Sequence, residues 1–117
     1  MRSLDITVRE AGRVTVLSLT GRLSMDEEPA FRQAVNALVQ ADRVFLVLNL
    51  AAVSMIDSAG LGTLVAACIK VRRRQGDMKL VRLTPRNDHA MRITRLDSVF
   101  ESFGSEEDAV ASFEHPP

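Results

Sequence analysis

A serine with an acidic neighbour, followed closely by two glycines, occupies the middle of the chain: Asp57-Ser58-Ala59-Gly60-Leu61-Gly62. A hydroxyl beside a carboxylate can attack a substrate, cap a helix or accept a phosphoryl group, and the surrounding spacing separates these uses. A hydrolase-type nucleophile elbow needs Gly-x-Ser-x-Gly, and Ile56 stands where the first glycine must be. A phosphate-binding loop needs Gly-Lys-Ser/Thr after its glycines, and Gly62 is followed by Thr63-Leu64 instead. Catalysis is therefore not expected. Metal binding is not expected either, because His89 and His115 lack cysteine or carboxylate neighbours at ligand spacing. Helix capping and phosphate acceptance remain. Asp and Ser are both common N-cap residues, and from the residue types alone capping is the simpler reading. The glycines ask a separate question, because each costs roughly 0.5–1 kcal/mol relative to alanine inside a helix. Either this helix packs closely on the element beneath it, or another backbone approaches its surface; the sequence leaves both open.

The elements that must position this segment follow from periodicity. Leu4, Ile6 and Val8 alternate with polar residues. After Ala11-Gly12 the alternation resumes, with Val14, Val16, Ser18 and Thr20 facing opposite to Leu17 and Leu19, which predicts an opening β-hairpin. From about Asp26 the period changes: Phe31, Ala34, Val35, Leu38 and Val39 trace one helix face, with Pro29 in its first turn. Val44 to Leu48 is a continuous apolar run of strand length, predicted to be central in the sheet and covered on both faces. Leu61, Leu64, Val65, Cys68, Ile69 and Arg72 trace the next helical stripe, which ends at Arg72-Arg73-Arg74 with Gly76 as the expected C-cap. The arginines suit a helix C-terminus, where cations complement the terminal carbonyls, and Cys68 reads as a core thiol. Met78 to Leu83 predicts a strand stopped by Thr84-Pro85, Met91, Ile93 and Leu96 a third helix, and Val99 to Phe103 a short extended piece. Ser105-Glu106-Glu107-Asp108 opens a last helix through Val110 and Phe113, before a frayed His115-Pro116-Pro117 tail. Ser24-Met25-Asp26-Glu27 matches a capping box. Strands alternating with helices imply parallel pairing, hence an α/β fold: a mixed sheet of about four to five strands with about four helices. In such sheets ligands and partners engage loops at the carboxyl ends of strands, which is where Ser58 falls.

The 117 residues suit one domain, spanning 1–117, with 46% hydrophobic and 26% charged residues, as in ordinary globular chains. Fifteen basic and fifteen acidic side chains cancel, so no general attraction to nucleic acid or anionic membranes is expected. Val44 to Val53, the longest apolar run, is interrupted by Asn49 and is about half a membrane span. The charged, alternating start of the chain and the lone Cys68 lead to the expectation of a cytoplasmic protein without disulfides. A monomer is the simplest expectation.

Ile56-Asp57-Ser58-Ala59-Gly60-Leu61-Gly62 resembles the Asp-Ser-x-Gly-Leu-Gly signature of the STAS family, specifically the bacterial anti-sigma-factor antagonists. Gly21-Arg22-Leu23, Val47-Leu48-Asn49-Leu50, Leu80-Val81 and Arg95-Leu96 resemble the same family, so the likeness spans nearly the whole chain. The resemblance implies a STAS fold and a regulatory, non-enzymatic role without a cofactor. It further implies that Ser58 is phosphorylated by a cognate anti-sigma factor that is also a serine kinase. The unphosphorylated protein would bind that kinase and free the sigma factor, phosphorylation would end the binding, and a phosphatase would reset it. The contact surface implied comprises Ser24, Asp26, Asp57, Ser58, Ala59, Gly60, Leu61 and Gly62. The family often has an acidic residue where this chain has Ser24, with Asp26 following, and many relatives have a second serine where this chain has Ala59. The competing role within the family is a STAS scaffold, in a signalling or transport complex, that binds without phosphate control.

Overall fold

Alternation in the first two dozen residues becomes the antiparallel pair β1 (Leu4–Ala11) and β2 (Val14–Leu23), paired without interruption from Leu4–Gly21 to Ala11–Val14 in a computed structural model that describes residues 4–114. The expected frayed tail lies outside the described residues. The chain continues through α1 (Glu28–Gln40), β3 (Phe45–Ile56), α2 (Ser58–Arg72), β4 (Asp77–Val81), α3 (Pro85–Ile93), a 3-10 turn (Leu96–Ser98), β5 (Ser102–Phe103) and α4 (Glu106–Glu114). The five strands lie side by side in sequence order, and every pair after the first is parallel. The expected mixed α/β sheet with an opening hairpin and four helices is the one observed.

Strand alternation divides the core between the two faces of the sheet. Leu17, Leu19, Leu46, Leu48, Leu50 and Leu80 join the larger cluster, with Phe31, Val35 and Val39 of α1 and Leu64, Cys68 and Val71 of α2. Val14, Val16, Val47 and Val81 point the other way and meet Ala109 and Phe113 of α4. On that second face the buried Lys79 lies over the rings of Phe113 (4.3 Å) and Phe103 (5.7 Å) and donates to Ser112 at 2.8 Å, so its stem is covered and its charge is met. Asn49, the polar break in the apolar run, donates to Glu106 of α4 at 2.7 Å and accepts the Ala51 N–H at 3.0 Å.

Four expectations are corrected. The central strand does not end at Leu48: it runs to Ile56, with irregular register against β2 between Ser18 and Thr20 and again between Gly21 and Arg22. The bulges absorb extra residues of β3, which is how the strand continues past the Val44–Leu48 run through Ser54-Met55-Ile56. Gly76 does not provide the left-handed end of α2. Gln75 does, at φ +61°, and Gly76 is needed because a Cβ there would stand 2.0 Å from the Val44 carbonyl. The third helix stops at Ile93, which is 69% exposed; Thr94 closes it, Arg95 turns left-handed at φ +61°, and Leu96 begins the 3-10 turn. Finally, the buried stripe of α2 is Gly60, Thr63, Leu64, Ala67, Cys68 and Val71, rotated by about one residue, or ~100°, from the expected one. Its centre consists of small residues, which carry little hydrophobic signal, and Ile69 is left 45% exposed.

Two of the three consecutive arginines serve the end of α2. Arg72 donates to Asp77 at 2.9 Å and to the Val99 carbonyl at 2.7 Å, and Arg74 donates to Asp42 at 3.1 Å. The contact with Asp77 raises the pKa of Arg72 and keeps it charged.

Candidate functional site

β3 passes into α2 through a single residue outside regular structure, Asp57. Its extended backbone (φ −90°, ψ −173°) makes it the N-cap, and Oδ1 accepts the Gly60 N–H at 2.8 Å. The other oxygen, Oδ2, accepts the Met25 N–H at 3.1 Å, and the Asp57 N–H donates to the Leu23 carbonyl at 3.3 Å. One side chain therefore caps α2 and ties the β2–α1 connection to it. The alternatives left open for the Asp-Ser pair separate here: Asp57 is the cap. Ser58 is the first helical residue, exposed, and its hydroxyl makes no hydrogen bond among the described residues.

Asp57→Ala removes both acceptors and is expected to lower stability by about 1–2 kcal/mol, the usual value of an N-cap. Asp57→Asn keeps an acceptor for Gly60 and should lose less than half of that. Urea unfolding of the two variants beside the wild type measures the difference.

The two glycines differ in kind. A Cβ on Gly60 would lie 2.0 Å from the Leu23 carbonyl oxygen and 2.8 Å from Ile56 Cγ2, so α2 rests directly on the end of β2 at this point. A Cβ on Gly62 would meet nothing within 4 Å. Gly60 is explained by packing within the fold, and Gly62 is not. Leu61 is half-buried against the larger core cluster. Ala59 and Gly62 line a groove of about 420 Å³ between α1 and α2, together with Arg32 and Lys70.

The β2–α1 connection departs from its expected form. α1 begins at Glu28 with Glu27 as N-cap, and Glu27 makes no side-chain capping bond. Ser24 does not accept a helix N–H in a capping box; its hydroxyl donates to the carboxylate of Glu27, while its carbonyl accepts the N–H groups of Glu27 and Glu28. Asp26 is exposed. Met25 between them is 71% exposed and is held beside Asp57 by its own N–H. The structure thus brings the Ser24–Asp26 loop and the Asp57–Gly62 segment together through the Asp57–Met25 bond. Met25 was not among the residues singled out in the sequence, although an exposed methionine at the edge of a polar loop is an adaptable apolar contact.

Cys68 lies in the core, and burial pushes its thiol pKa up, so the nucleophilic thiolate is disfavoured. No helix among the described residues is long and apolar enough to cross a membrane.

Comparison with known proteins places this arrangement. The chain is 30% identical over 110 residues to the anti-sigma-F factor antagonist RsfB of Mycobacterium tuberculosis, a match covering 92% of this chain and 88% of RsfB. It is 27% identical over 99 residues to the anti-sigma-B factor antagonist of Listeria monocytogenes, covering 85% and 86%. The crystal structure of an anti-sigma factor antagonist from Mycobacterium paratuberculosis superposes with a TM-score of 0.87 at 29% identity, over 97% of this chain and 96% of the other. Relatives with these names are regulatory binding proteins and not enzymes. The sequence profile described as STAS domain matches residues 5–109, from the first strand to the last helix and across the whole Asp57–Gly62 segment, and on this evidence the chain belongs to the STAS-domain family.

Proposed function

We propose that this chain is an anti-sigma-factor antagonist of the cytoplasm, which binds a cognate anti-sigma factor that is also a serine kinase and so frees a sigma factor. Phosphorylation of Ser58 ends the binding, and a phosphatase restores it. The observation that carries this reading is the division of labour at the start of α2: Asp57 takes the capping role, leaving the Ser58 hydroxyl exposed and unused by the fold. The contact surface comprises Ser58, Ala59 and the open Gly62, with Ser24, Met25 and Asp26 beside them. Asp57, Gly60 and Leu61 hold that surface in place from below. The names of the relatives support the partner class.

A phosphoserine adds roughly −1.5 to −2 charges at neutral pH. At the first position of a helix this is tolerated or favoured by about 0.3–1 kcal/mol. The fold therefore accepts the charge, and a docked partner surface without a matching cation does not.

Incubation with ATP and the cognate kinase is expected to add one phosphoryl group at Ser58, located by mass spectrometry of the digested protein. Ser58→Ala should stay unmodified and still bind the kinase. A wild-type protein that binds yet remains unmodified would replace the switch with the scaffold role. Modification at a different residue would remove Ser58 from the mechanism.

A further inference from the structure

β1 stands at the end of the strand order and pairs with β2 alone among the described residues, so its outer edge is open. Natural proteins blunt such edges with proline, bulges, short strands or charged side chains, which repel a second strand where like charges fall opposite each other. β1 has eight residues, contains no proline, and follows β2 in unbroken register. Asp5, Thr7, Val8, Arg9 and Glu10 are exposed along it, including the apolar Val8 at 51%.

The order of these residues is self-complementary. Folded antiparallel onto a second copy about Thr7, the strand places Ile6 opposite Val8 and Asp5 opposite Arg9, each twice by symmetry. Positions 4, 6 and 8 share the sheet face of α1 and α2, because Leu4 belongs to that core cluster and Ile6 packs against it. Asp5, Thr7 and Arg9 share the α4 face, where Arg9 also pairs with Glu106. Apolar thus meets apolar at the centre of one face, with Leu4 opposite Glu10 at its two ends, and opposite charges meet on the other face, pairings of the kind that stabilise adjacent strands. Centring the pairing on Val8 instead would set Ile6 against Glu10 and Thr7 against Arg9.

From this we infer that the open edge of β1 is a homodimer contact, in which two copies join antiparallel about a two-fold axis at Thr7. The contact is isologous, as a two-fold interface requires, and continues the sheet from five strands to ten across the pair. It replaces the expectation of a monomer. One strand edge with a few side chains belongs to the small, transient class of interface. Ser58 follows β3, two places inward from β1, so the dimer leaves the surface around it accessible.

Thr7 is the one position that faces itself in this register, with opposing Cβ atoms about 4.5–5.5 Å apart, close to what a disulfide needs. Position 10 faces position 4 and is separated from its own copy by about 20 Å, six residues along the strand. The test uses full-length Thr7→Cys and Glu10→Cys; both sites are exposed, and the native Cys68 is buried. Under a mild oxidant Thr7→Cys should form a disulfide dimer at least about tenfold faster than Glu10→Cys, as expected for opposed and distant pairs. Sedimentation equilibrium of the wild type should show mean mass rising with concentration up to about 1 mM, as for a transient interface. Equal cross-linking rates at the two positions, or a constant monomer mass, would overturn the inference.

Discussion

Gly60→Ala is expected to cost about 3 kcal/mol and to lower the melting temperature by roughly 10–20 °C. The added methyl would lie 2.0 Å from the Leu23 carbonyl oxygen and 2.8 Å from Ile56 Cγ2. Neither neighbour has room to retreat, because Leu23 is fully buried and its carbonyl also receives the Asp57 N–H. Relief must come from lifting the first turn of α2, which breaks the Asp57 cap. Gly62→Ala, two residues on, is expected to do the opposite. Its methyl meets nothing within 4 Å, so the higher helix propensity of alanine should stabilise the fold by about 0.5–1 kcal/mol. Thermal melting followed by circular dichroism measures both variants. The opposite signs are the point: if both destabilised the protein, Gly62 would also be a packing residue and the open surface beside Ser58 would be lost from the account.

The second large effect concerns binding. Ser58→Asp places a full charge at an exposed position where a helix N-terminus favours it, so its melting temperature should match the wild type within a few degrees. Its affinity for the anti-sigma factor should fall at least about 100-fold, because an unmatched charge in a docked interface costs several kcal/mol and each 1.4 kcal/mol is tenfold. Ser58→Asn has nearly the same size without the charge, and should lose far less. Titration calorimetry with the two variants separates charge from bulk. Equal losses would mean that the interface excludes volume and not charge.

Elements with a strong single period were legible in the sequence. The hairpin alternation and the Phe31-Val35-Val39 stripe of α1 were read in place, since large apolar side chains mark those faces. Asp57 and Ser58 at the start of α2 were legible because cap chemistry is local. What failed depended on neighbours distant in sequence. The burial of α2 centres on Gly60, Thr63 and Ala67, which become core only because β2 and α1 lie close to them. Gly76 carries the usual signal of a helix end, yet its reason is the carbonyl of Val44, and the left-handed residue is Gln75. The extension of β3 to Ile56 requires bulges against β2, and no property of Ser54-Met55 announces a bulge. Met25 was hidden by the better-known pattern around it. Ser24 and Glu27 have capping-box spacing, but their side chains bond each other and not the helix, and what fixes Met25 is a carboxylate 32 residues away.

Exposure of Ser58, its place at the first turn of α2 and the open surface at Gly62 combine into one claim: phosphate on Ser58 abolishes partner binding without altering the fold. Titration of the homogeneously Ser58-phosphorylated protein into its anti-sigma factor, beside the unmodified protein and with a thermal melt of each sample, tests it most directly. The expected result is an affinity lower by at least about 100-fold with unchanged melting, as for an unmatched interfacial charge on an intact helix N-terminus. Equal affinity for the two forms, or lost binding accompanied by a large fall in melting temperature, would contradict it.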